Sequence, residues 1–170
     1  RLVAGGLGSV GYLGTQAVKI GQDQTRMEMA LKMSSATGEF EDTLKYVKSE
    51  ALRLGISSQE MGKAYAQINM AAEKLNMSQK QNMFTGISEY MKTVGMSKEG
   101  QAGVYRAVYQ MFSKGKIEQG EVRQLAEWGM STKVFRDSAM KSYGVTDVNK
   151  YLKMQRAGKI DPNKVLLQWA

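Results

Sequence analysis

From residue 40 onward the apolar positions return every three or four residues, in stripes that break and restart at regular points. Phe40, Leu44, Val47, Ala51 and Leu54 form the first stripe, closed by Gly55. The second starts behind Ser57, with Glu60 three residues on as a capping box, and runs through Met61, Ala64, Tyr65, Ile68, Ala71, Ala72 and Leu75. Ser78 with Gln81 opens a third, carrying Met83, Phe84, Ile87, Tyr90, Met91 and Val94. Ser97 opens a fourth, with Val104, Tyr105, Val108, Met111 and Phe112 on one face. This spacing predicts amphipathic helices of about four turns each, and no run alternates at period two as a strand would.

The joints between stripes repeat one formula. Leu54-Gly55-Ile56-Ser57, Leu75-Asn76-Met77-Ser78 and Val94-Gly95-Met96-Ser97 follow one another at intervals of 21 and 19 residues. Gly or Asn takes the left-handed position that ends a helix, and the apolar residue packs back on its last turn. Ser then accepts a free N–H of the next helix. Tyr143-Gly144-Val145-Thr146 repeats this, and Lys159-Ile160-Asp161-Pro162 varies it, with Asp as cap and Pro at the first helical position. Because the helices between joints differ in content, the regularity reads as shared joint chemistry rather than as a solenoid.

The N-terminal part is of another kind. Leu2 to Val18 holds no charged residue, but Gly5, Gly6, Gly8, Gly11 and Gly14 make it a poor helix and a poor bilayer span. Ala4, Gly8, Gly11 and Thr15 fall at spacings that let another helix approach closely. From Val10 a heptad seam begins: Val10, Leu13, Ala17, Ile20, Gln24, Met27 and Leu31, spaced alternately three and four. Two readings fit it. Either a helix running to about Met33 pairs with copies of itself, with Gln24 as the polar position that fixes register, or an ordinary amphipathic helix packs on its own chain. Ser34-Ser35-Ala36-Thr37-Gly38 then divides a segment 1–35 from a helical segment 36–170.

Composition narrows the chemistry. There is one proline, no cysteine and no histidine, so disulfides, thiolate nucleophiles, histidine-based triads and the usual zinc sites are excluded. Glu39, Glu41 and Asp42 cluster at a helix start, where the dipole favours negative charge, which is a simpler account than paired acid–base carboxylates. Gly5-Gly6-Leu7-Gly8 lacks the strand and the Lys-Ser or Lys-Thr of a phosphate loop, and Asp161-Pro162-Asn163 lacks the ligand string of a calcium loop. No catalytic, cofactor or metal site is expected. Of the 13 methionines, Met61, Met83, Met91 and Met111 fall on apolar stripes, whereas Met27, Met29 and Met33 are the candidates for an oligomer seam. A net charge of +8 comes from lysines that fall singly, as on a solvated helix face.

Ala107-Val108-Tyr109-Gln110-Met111-Phe112-Ser113-Lys114-Gly115-Lys116-Ile117, followed by Glu121-Val122-Arg123-Gln124-Leu125-Ala126-Glu127, resembles the conserved N-terminal domain of bacteriophage tail tape measure proteins. There an alanine-rich helix runs into Gln-Met, a Ser-Lys-Gly-Lys turn and a Glu-Leu-Arg-Gln-Leu helix. Neighbouring landmarks are similar in order: Ala36-Thr37-Gly38, Leu54-Gly55-Ile56-Ser57 and Ala64-Tyr65-Ala66 ahead, then Ala139-Met140, Tyr143-Gly144-Val145 and Gly158-Lys159-Ile160 behind. The likeness covers residue 36 to the end. It departs at Trp128-Gly129-Met130-Ser131, where family members have Pro-Gly, so a capped turn of different shape is expected there.

The resemblance implies a non-enzymatic structural virion protein, an oligomeric helical rod in the lumen of the phage tail. Such a protein governs tail length during assembly, leaves at genome ejection and helps DNA cross the envelope. It implies a homo-oligomer, a trimer by the family's habit, with tail tube, tail tip or hub proteins and assembly chaperones as partners, and later membrane contact. The ends at Arg1 and Ala170 read as those of a piece of a longer chain. The rival from composition is a basic helical nucleic-acid-binding module. A tail-associated murein hydrolase is a third reading, and it requires a catalytic acid in a cleft.

Overall fold

A computed structural model describes the backbone from residue 8 and the side chains from residue 16 to the end of the chain. Among the described residues the fold is all-α, with no strand. The helices are α1 (Gly8–Ser34), α2 (Phe40–Leu54), α3 (Ser58–Ala71), α4 (Met77–Thr93), α5 (Lys98–Lys114), α6 (Gln119–Glu127), α7 (Thr132–Ser142), α8 (Val148–Arg156) and α9 (Pro162–Trp169).

The joints follow local chemistry, with two corrections. Gly55, Gly95, Gly129, Gly144 and Gly158 all take positive φ, between 60° and 85°. At each, two backbone bonds close the preceding helix. At Gly55, for example, Ile56 N–H reaches the Ala51 carbonyl at 2.9 Å and Gly55 N–H reaches Leu52 at 3.3 Å. Ser57, Ser97 and Ser131 cap the helices that follow, accepting from Glu60, Gly100 and Val134 N–H. The Trp128-Gly129-Met130-Ser131 joint is therefore a capped turn of the common kind.

Asn76, expected in the left-handed position, has φ −76° and is itself the N-cap of α4. Its Oδ1 accepts from Gln79 N–H at 2.9 Å while Gln79 Oε1 accepts from Asn76 N–H at 3.0 Å, so α4 starts ahead of the expected Ser78–Gln81 pair. An amide that can both accept and sit in extended backbone gains more at an N-cap than in the strained left-handed region. Likewise Asp147, not Thr146, caps α8, accepting from Asn149 and Lys150 N–H at 2.7 and 3.2 Å, because a carboxylate is the stronger acceptor at a helix N-terminus.

Packing shows a register that the stripes alone did not. α1 lies on α3, with Met27 against Gly62, where an added Cβ would sit 2.4 Å from Met27 Cγ. Asn69 Nδ2 donates to the Ser34 carbonyl at 2.7 Å, again between residues 35 apart. Tyr46 Oη donates to the Gln81 carbonyl at 3.0 Å, and Thr85 Oγ1 to Glu50 at 3.4 Å, both also 35 apart. So α1 and α3 run in one direction, as do α2 and α4, at one common offset. Over these four helices the two pairs share one offset while their contents differ, as expected for shared joint chemistry. The alternate pairing continues with α5 on α3 and changes after it: α5 also packs on α6, α7 packs on α6 and α9, and α9 reaches back to α4 and α5. One contiguous apolar core runs from Met27 to Leu166.

Candidate protein-binding groove

A file of aromatic rings fixes the spacing of α2 to α5. Tyr46, Tyr65, Phe84 and Tyr105 stand 19, 19 and 21 residues apart, the same rhythm as the joints. Their centroids lie 5.3, 5.2 and 4.8 Å apart in turn, tilted, edge-on and stacked. The phenols of Tyr46 and Tyr105 are hydrogen-bonded within the fold, whereas the buried Tyr65 hydroxyl has no hydrogen-bond partner among the described residues. Ser88 Oγ donates to the Phe84 carbonyl at 2.6 Å, so its single proton is used and Tyr105 Oη donates to it at 2.7 Å. Burial pushes the hydroxyls of Tyr65 and Tyr105 up to about 12, and that of Tyr46 further in the same direction.

Between α3 and α5 this spacing leaves a groove. Its upper part, about 520 Å³, lies between Ile56–Gln67 and Lys98–Gln110. A second hollow of about 480 Å³ follows along Met70–Lys74 and Tyr109–Gly115, and the two meet at Tyr109. Early residues of α3 and α5 line the first and late residues the second, so these helices also run in one direction. The rims carry Lys63, Lys98 and Arg106, all exposed, and none forms an ion pair among the described residues. The sequence reading missed these three as a set, since they fall far apart in the chain.

The Ser113–Lys116 turn borders the lower hollow. Lys114 ends α5, Gly115 has φ 68°, and Ile117 is fully buried with its N–H on the Ile160 carbonyl at 2.9 Å. The two lysines are engaged locally: Lys114 Nζ meets Glu118 at 3.0 Å and the buried Glu121 at 2.5 Å, and Lys116 Nζ meets Glu118 at 2.7 Å. The Lys116 ammonium, then that of Lys114, holds the Glu118 carboxyl down at about 2. Glu118 N–H donates to Glu121 Oε2 at 3.1 Å. The motif thus braces the start of α6, with Ser113 and Gly115 facing the groove.

The seam residues separate into two groups. Met27 and Leu31 are fully buried in the chain's own core, whereas Ala17, Ile20 and Gln24 are exposed, Ile20 at 57 %. The side chains of Val10 and Leu13, and the Gly5-Gly6-Leu7 stretch, lie outside the described residues. Met61, Met83, Met91 and Met111 are core residues, while Met29 and Met33 are exposed. Glu41 and Asp42 occupy the first turn of α2, and Asp161 caps α9 through Asn163 N–H at 2.9 Å. Among the described residues no group of three or more Asp or Glu is placed to hold a metal ion, and no helix is long and apolar enough to cross a membrane. No family model, no curated protein and no solved structure matches this chain.

Proposed function

We propose that this chain is a structural segment of a phage tail tape measure protein, residing in the tail lumen, where the tape governs length and assembly and leaves at ejection. In this reading the first half of the long α1 is the homo-oligomer contact, forming a trimer. The helices after residue 36, antiparallel from one to the next, are a protein-binding module for tail tube, tip or chaperone partners. Support for the family comes from the ordered landmarks around Ser113-Lys114-Gly115-Lys116.

One observation carries the oligomer assignment. Met27 packs at Gly62, so the start of α3 at Ser58 lies level with Asp23, and α1 residues ahead of Asp23 run past the end of α3. There Ala17, Ile20 and Gly21 share one face at helical spacing: Ala17 is exposed, Ile20 is 57 % exposed, and a Cβ on Gly21 would meet nothing within 4 Å. An apolar helix face without an intrachain partner suits pairing with copies of itself.

Sedimentation of the chain, of an Ile20→Asp variant and of a chain starting at residue 23 tests this contact. A trimer for the first and helical monomers for the other two are expected; a monomer throughout rejects it. Peptides of this chain are expected in purified tails and depleted after ejection, and their absence from tails rejects the tape measure reading.

A further inference from the structure

We infer that the α3–α5 groove takes an acidic amphipathic helix of a partner protein, with the partner's carboxylates set against Lys63, Lys98 and Arg106. The inference deepens the protein-binding part of the proposed function and is independent of the oligomer contact. Three features carry it. The first is shape: the paired hollows run beside α3 from Glu60 to its end at Ala71 and on to Lys74, about 17 Å over the helical part at the helical rise, which fits a helix of about three to four turns. The second is the lining, where the small side chains of Ala64 on α3 and Ala102 on α5 let a helix backbone come close.

The third is charge. Lys63, Lys98 and Arg106 border the upper hollow against the single carboxylate of Glu60. The cations of the neighbouring turn differ, since Lys114 and Lys116 are held by Glu118 and Glu121. Unpaired, exposed cations beside an apolar lining favour an acidic helical face, whose carboxylates add contacts without a cation being stripped from an existing pair. A nucleic-acid strand fits less well. The Tyr105 ring is stacked face to face on Phe84 at 4.8 Å, and its hydroxyl is bound to Ser88, so it offers no free platform for a base.

The test is a display selection on the full chain, using a library of helix-patterned peptides of about 15 residues, the length the groove accommodates. Asp and Glu are expected to be enriched beside the apolar positions of the selected peptides. Binding of a selected peptide, read by fluorescence anisotropy, is expected to fall about tenfold or more in Lys63→Glu/Arg106→Glu and to be blocked in Ala102→Trp, which fills the groove from an exposed position. Basic or uncharged selected peptides that Ala102→Trp still blocks would overturn the acidic partner while leaving a protein-binding groove. Peptides indifferent to Ala102→Trp, or no selected binder, would overturn the groove itself. A single-stranded DNA 20-mer run in parallel is expected not to bind at moderate salt; displacement of the selected peptide by that DNA would also overturn the inference.

Discussion

At Asn76 the competition between two local conformations is settled by hydrogen bonding. A left-handed Asn ends a helix as Gly does, but the paired bonds with Gln79 make this one a start instead. The two roles predict opposite responses. As an N-cap, Asn76→Ala is expected to cost about 1 kcal/mol and Asn76→Gly only a few tenths; in a left-handed position Gly would stabilise. Urea unfolding of both variants distinguishes them, and a more stable Asn76→Gly would contradict the cap. Glu118 gives a pH prediction. Its carboxyl is lowered from 4.5 to about 2 by Lys116 and Lys114, so its contribution is complete above the unfolded value and is lost as pH falls from about 4.5 toward 2. Wild type is therefore expected to melt above Glu118→Gln at pH 7 in low salt, and the two to converge near pH 2. The gap should also shrink in high salt, because these charges are exposed. A gap independent of pH would refute the pairing.

Between elements, polar atoms tie the faces that apolar side chains fill. The Ser88–Tyr105 bond joins α4 to α5 inside the core, next to the Phe84 ring. Ser88→Ala is expected to strand a buried Tyr105 hydroxyl and cost about 1–3 kcal/mol, whereas Tyr105→Phe leaves Ser88 still bonded to Phe84 and costs about 0.5–1.5 kcal/mol. The double variant should cost less than the sum, since removing Ser88 strands nothing once the phenol is gone. Strict additivity in a double-mutant cycle would show that the two hydroxyls do not interact. This scale also marks where sequence reading stopped. Gly55, Gly95 and the serines behind them were legible because a helix end is fixed by four or five adjacent residues. The 35-residue register was not, because Tyr46 meets Gln81, and Ser34 meets Asn69, only after three helices have packed. Lys63, Lys98 and Arg106 read as scattered solvated charges for the same reason. The seam was legible as a stripe but not as a contact: three-and-four spacing is identical whether Met27 and Leu31 meet another chain or, as here, α3 of their own.

For the molecule as a whole the question is whether the helices α1 to α4 and the cluster of α6 to α9 fold as one. Both lean on α5. Its Val104, Val108 and Met111 are fully buried, and the helix packs on α3 to one side and on α6 and α9 to the other. The core passes through it without a break, so cooperativity should extend across the chain. The two tryptophans make this measurable. Trp128 lies at the end of α6 against Gly103 of α5, and Trp169 in α9, with its ring 5.1 Å from Phe135 and beside Gly86 and Tyr90 of α4, so their fluorescence reports the packing of α6 to α9 on α5 and α4, while helical circular dichroism reports the helices throughout. The two signals are expected to give a single coincident urea transition. Met111→Ala should shift both midpoints together, by the equivalent of about 2–5 kcal/mol for a fully buried methionine. If the fluorescence transition moves away from that of the dichroism in this variant, α5 belongs to one half only, and α1 to α4 and the cluster are separate folding units.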